Sequence, residues 1–94
     1  MRWVNSVTAW EAKALMLEAA QSALEAGRLC MEVHCLRRSV VAFDVRGQDG
    51  DEWTAGFCGQ HAVELPIEQP DSVVGQPRIL APGEALLGPR GERA

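Results

Sequence analysis

An excess of positive charge is missing from this 94-residue chain. Thirteen acidic residues outnumber nine basic ones, and the net charge is −4. No global positive field is therefore available to hold the chain to nucleic acid or to an anionic membrane. Long apolar runs are missing too. Met1 to Val7 carries none, and no stretch approaches the roughly 20 apolar residues that cross a bilayer. The protein is accordingly expected to be soluble and not secreted. The third shortage is of cysteine: three residues, Cys30, Cys35 and Cys58, cannot all pair within one chain. A cytosolic setting would also keep them reduced, so metal ligation accounts for them better than a disulfide framework. Finally, the stretch after Leu65 lacks any sustained apolar period. It holds all five prolines and four of the nine glycines.

A chain of this length makes one domain at most and buries only about 60–65% of the surface its unfolded form exposes. With about 65 residues left to build a core, additional stabilisation from a metal is expected. Among the cations, eight arginines accompany a single lysine, a balance that suggests a high-GC genome.

Thr8-Ala9-Trp10-Glu11 fits a capping box, and Ala9 to Ala26 contains neither glycine nor proline. One amphipathic helix is expected over this stretch, ended by Gly27 in a left-handed conformation. Trp10, Leu17, Ala20 and Leu24 fall on one stripe at helical spacing, with Met16 at its edge, and are assigned to the core. Leu15 lies on the far side, which leaves open a helix that also meets a partner. Trp3, Val4 and Val7 are expected to fold onto the Trp10 end.

Leu36 to Arg46 contains Val41, Phe43 and Val45 alternating with Ala42, Asp44 and Arg46, the period of a strand with one buried face. Gly47-Gln48-Asp49-Gly50-Asp51 is turn chemistry. Glu52 to Phe57 then returns antiparallel with Trp53, Ala55 and Phe57 on one face. Cys58 to Leu65 reads as a short helix closed by Pro66. Residues 66–94 carry short apolar patches at Val73-Val74, Ile79-Leu80 and Leu86-Leu87. They read as an extended arm that orders only against a partner, with a reach of about 90 Å if fully stretched.

The chemistry lies in two short pairs. Zinc takes four tetrahedral ligands from thiolate and imidazole, and structural sites assemble them from two local elements. Cys30 and Cys35 flank a four-residue loop, and Cys58 and His61 sit three apart at a helix start, where both project to one side. The 22 residues between the pairs would bring them together as a hairpin. A helix N-terminus also favours the thiolate form of Cys58. Zinc is therefore the expected cofactor and Cys30, Cys35, Cys58 and His61 the expected ligands. His34, beside Cys35, stands behind His61 as an alternative ligand or as a residue supporting the site from outside.

A two-cysteine knuckle, a hairpin and then Cys58-x-x-His61 opening a helix resembles a treble-clef or zinc-ribbon-type module over residues 28–66. Short versions of it recur in actinobacterial and phage proteins. The resemblance implies a zinc-stapled fold and no particular activity, since members include nucleic-acid binders, protein adaptors and subunits of larger machines. The knuckle loop is longer than the usual two residues, and the leading helix and trailing arm are not part of the motif.

An enzyme is not expected. Catalytic zinc keeps a coordination position open for water, whereas three thiolates and an imidazole fill a tetrahedron. The His-x-Glu element of zinc deaminases is missing, and a Cys58/His61 nucleophile pair lacks a third, orienting group.

The sequence thus predicts an α+β chain in three parts. Residues 1–27 form the leading segment and helix, 28–66 the zinc module and 67–94 the arm. The function expected is that of a structural or interaction subunit of a larger assembly, such as a phage particle, with protein partners met through arm and helix. The alternative is a zinc-dependent regulator touching nucleic acid or RNA polymerase. From Arg28 to Arg46 four arginines face Glu32 and Asp44, a local excess of two positive charges, so Arg37 and Arg38 are the candidate contacts for such a partner.

Overall fold

The computed structural model describes residues 6–18, 21–47, 49–87 and 92–93. The leading helical region is two helices rather than one. Helix α1 spans Ser6–Leu17 and α2 spans Ser22–Arg28. The chain departs from α1 at Glu18, whose φ of 46° is left-handed. The two helices pack against each other but serve different neighbours: α1 covers the main core, and α2 lies on a short strand near the end of the chain. A single straight helix would have to follow both.

Thr8 lies inside α1, so the expected capping box does not start the helix. The buried face differs as well. Among the described side chains of α1, Ala9 and Lys13, one turn apart, reach the interior, at 0% and 1% exposure. Trp10, Leu17 and Leu24 are only half-buried, and Met16 and Leu15 are exposed. Ala20, Trp3 and Val4, and the side chain of Val7, lie outside the described residues.

Gly27 was expected as a left-handed helix end, but α2 runs past it to Arg28 and ends on Leu29 in an extended conformation. The position requires glycine for another reason. A Cβ at Gly27 would stand 2.4 Å from the Leu86 carbonyl oxygen, so the backbone of α2 approaches a later strand as closely as only glycine permits.

The hairpin forms from β1 (Val41–Arg46) and β2 (Glu52–Phe57), in register from Val41 opposite Phe57 to Arg46 opposite Glu52. Gly50, at φ 88°, turns the connection, and an Arg46–Glu52 ion pair of 2.9 Å marks its end. Regular pairing begins at Val41 rather than Leu36, because the residues before it are engaged in the knuckle described below. On the inner face Phe43, Val45, Trp53, Ala55 and Phe57 are all buried, with Phe43 and Phe57 in edge contact at 5.9 Å. Together with Ala9, Cys30, Met31, Cys58 and Leu65 they form the main core.

Helix α3 spans Gly59–Glu68 and continues two residues beyond Pro66, which was expected to end it. Proline lacks a donor for the carbonyl one turn back, yet the helix closes only at Gln69, whose amide donates to Leu65.

The largest departure concerns the expected arm. After a 3₁₀ turn at Pro70–Ser72, β3 (Val73–Ile79) pairs antiparallel with β1, giving the sheet order β2-β1-β3. Two short strands follow, β4 (Leu86–Leu87) and β5 (Glu92–Arg93), paired with each other. Each apolar patch contributes to the interior: Val73 packs on the main core, and Leu80 and Leu86 join Ala42 in a second cluster. The expected boundary at 66 falls inside α3. The apolar residues after it are too sparse to form a period of their own, but they fit a face that β1 already offers. The described residues form an α+β fold, with three α-helices and a three-stranded antiparallel sheet among them.

Candidate metal centre

Two short segments, Arg28–Cys30 and Arg37–Ser39, run antiparallel and close the knuckle. Cys30 N–H donates to Arg37 at 2.8 Å, Ser39 N–H donates to Arg28 at 2.8 Å, and Leu29 bridges Arg38. Inside the loop Cys35 N–H donates back to Glu32 at 3.1 Å, and His34 takes a left-handed φ of 68°. That turn reverses the chain and returns Cys35 toward Cys30. The knuckle is fastened to the sheet by Met31 N–H, which donates to Gly56 at 2.8 Å.

The other pair comes from α3. Cys58 is its N-cap residue, in extended conformation, and its carbonyl accepts from Ala62 at 2.8 Å. His61 therefore sits in the first turn, directly above it. Because β2 ends at Phe57, the strand delivers Cys58 to the level at which the knuckle sits.

The four side chains converge. Nδ1 of His61 lies 3.3 Å from the Sγ of Cys30 and 3.3 Å from that of Cys58, and the Cys35 and Cys58 sulfurs are 3.9 Å apart. All four ligand atoms fall within 4.8 Å of one another. A tetrahedron with metal–sulfur bonds of about 2.3 Å and a metal–nitrogen bond of about 2.05 Å has edges of about 3.5–3.8 Å. The cluster is built on that scale and could hold a metal ion.

His34, the alternative ligand, is exposed and stands outside the cluster. Arg37 and Arg38 are also exposed but do not make one patch. Arg37 donates to the side-chain oxygen of Gln60 at the start of α3, whereas Arg38 lines a separate cleft with Arg28 and Gly83.

Burial and hydrogen bonding divide the thiols. Burial pushes the Cys30 thiol far above its ordinary range. Burial acts in the same direction on Cys58. There it is outweighed by the His61 backbone amide and by hydrogen bonds with Cys30, His61 and Cys35, which bring the thiol down to about 7. A helix N-terminus is where such lowering is expected. Cys30 and Cys58 are buried, and the half-buried Cys35 and His61 face a shallow cleft of about 430 Å³ shared with His34, Leu36, Arg37 and Gln60.

Two charged residues near the cluster were not singled out in the sequence. Lys13 is 1% exposed and Glu32 5% exposed, and the Lys13 ammonium donates to the Cys35 carbonyl. Burial lowers the Lys13 ammonium below the usual lysine range, against the opposing pull of Cys30, Cys35, Glu32 and Cys58. The available signal was compositional: Lys13 is the only lysine in a chain with eight arginines.

Among the described residues no helix is long and apolar enough to cross a membrane. Comparison with protein-family models finds none that matches, and comparisons with curated proteins and with solved structures find no similar chain.

Proposed function

We propose that the chain is a non-enzymatic binding module whose fold is stapled by one zinc ion, held by Cys30, Cys35, Cys58 and His61. The observation that carries this reading is the convergence of four ligand atoms within 4.8 Å from two pairs 22 residues apart in sequence. Three soft sulfurs and one imidazole nitrogen suit zinc over the harder magnesium or calcium. The order of knuckle, hairpin and ligand-bearing helix supports the treble-clef type. When bound, zinc would supply a cross-link between knuckle and helix, worth on the order of 10 kcal/mol in structural sites.

Four protein ligands complete a tetrahedron and leave no position for a reacting water, so the site is structural rather than hydrolytic. A binding role is favoured by apolar side chains held outward on formed elements: Leu15 on α1, Val63 and Ile67 one turn apart on α3, and Ile79 at the end of β3 are 65–76% exposed. The net charge of −4 and the separation of Arg37 from Arg38 favour a protein partner over nucleic acid. Assembly through a free arm has lost its basis, because that stretch pairs with β1.

Metal analysis of the purified chain should find one zinc per molecule, with chelation lowering the thermal midpoint. DNA and RNA should show no salt-sensitive shift with the protein. A chain purified under reducing conditions that carries no zinc and takes none up would sink the reading.

A further inference from the structure

The proposed metal site leaves unexplained why the chain's only lysine lies in its core. Lys13 is among the largest side chains sealed from solvent. A buried ammonium is costly unless something of opposite charge stays beside it. The cause of its placement is visible on α1: Ala9, one turn earlier, is fully buried against the same cluster. Its small side chain lets the helix approach closely enough for Lys13 to reach inward. The ammonium then ends at the Cys35 carbonyl, with Cys30, Cys35, Glu32 and Cys58 near enough to favour its charged form.

A divalent ion held by three thiolates and a neutral imidazole carries one formal negative charge. Glu32, buried in the same place, adds another. With the metal bound, the three thiolates and Glu32 contribute four negative charges, and the metal and Lys13 three positive ones. One negative charge remains. Without Lys13 two would be left in a poorly solvated interior, where like charges repel strongly.

We propose that Lys13 is the buried counter-charge of the metal centre, a positioning residue that favours the three-thiolate, metal-loaded state and couples the docking of α1 to metal binding. The inference rests on the metal reading above. It assigns to α1 a part in the site that the ligand spacing does not require. The lysine touches a ligand's backbone and not the ion, so its influence is exerted through charge and through the position of the Cys35 loop.

Zinc affinity of the full chain would be measured by competition with a chromogenic chelator, alongside the sulfur-to-metal charge-transfer band of the cobalt-substituted protein. Lys13→Met keeps most of the apolar stem and removes the charge. It should weaken zinc binding by about 10- to 100-fold, the range typical for residues that support metal ligands, and move the band to longer wavelength. Adding Glu32→Gln to Lys13→Met restores the original charge balance and should recover part of the lost affinity. A scaffolding role for the lysine would predict no such recovery.

The inference is overturned if Lys13→Met binds zinc as tightly as the wild type with an unmoved band. It is equally overturned if affinity or folding is lost and Glu32→Gln fails to recover any of it. A wild-type chain that binds no metal would instead remove the metal reading itself, and this inference with it.

Discussion

At Cys58 three influences meet in one residue. It occupies the N-cap position of α3, the nearby His61 amide helps to lower its thiol, and its sulfur stands 3.9 Å from a second thiol. Replacing Cys35 or Cys58 with serine should abolish stoichiometric zinc binding, while His34→Ala should leave it intact, as metal analysis of the three purified variants will show. Retained zinc in Cys58→Ser would mean a different ligand set.

Protonation follows from the same geometry. Metal binding displaces thiol protons. Cys58, lowered to about 7, still holds its proton at lower pH and has released it at higher pH. Cys30, held up by burial, loses its proton to the buffer on metal binding throughout this range. The zinc association constant should therefore rise with pH, and the slope of its logarithm should drop by about one as pH climbs through 7. Calorimetry in buffers of different ionisation enthalpy counts the protons directly; an unchanged count between about pH 5.5 and 8.5 would contradict the assignment.

The four residues that cluster were readable because metal chemistry restricts both residue type and spacing. Lys13 was not, because nothing about a lysine at one helical position announces that the helix will turn that face inward.

Among the elements, the hairpin was the most legible. Its two-residue period and its glycine and aspartate turn state the same structure locally as the fold does globally. The helices were less so. Ala9 to Ala26 has uniform helical propensity, and the break at Glu18 is imposed by the two surfaces that α1 and α2 must cover. Gly27 shows the same limit: a glycine at a helix end suggests a left-handed cap, whereas here the Leu86 backbone, 59 residues on, demands it. Gly27→Ala should destabilise the protein by about 1–3 kcal/mol, as overpacking of a tight contact does. Helix propensity alone would predict a gain of up to about 1 kcal/mol. Denaturant unfolding of the two proteins distinguishes the signs.

At the scale of the whole molecule, the hairpin and the stretch after α3 share one sheet. Residues 67–94 look unable to fold by composition, and in isolation they have no face to cover. Their stabilisation comes from β1, through hydrogen bonds to β3 and burial of Leu80 and Leu86 against Ala42. Sequence periodicity cannot register such a contribution, because each patch donates only one or two residues. A chain ending at Glu68 would uncover that face. It should lose cooperative thermal unfolding even in the presence of excess zinc, as circular dichroism would show; full cooperativity in the truncated protein would mean that the zinc module folds alone.

The third strand also carries an irregularity. Between Ala42 and Asp44 its pairing slips, so that Gln76 and Pro77 fall in a bulge beside Gly75 at φ 75°. On the opposite side of the sheet, Met31 already occupies the Gly56 carbonyl. One margin is bent and short of a donor, and the other is partly occupied, which discourages a neighbouring copy from adding a strand of its own. Crowded copies should therefore stay separate instead of fusing into fibrils, because neither margin of the three-stranded sheet presents an unbroken row of free backbone donors and acceptors.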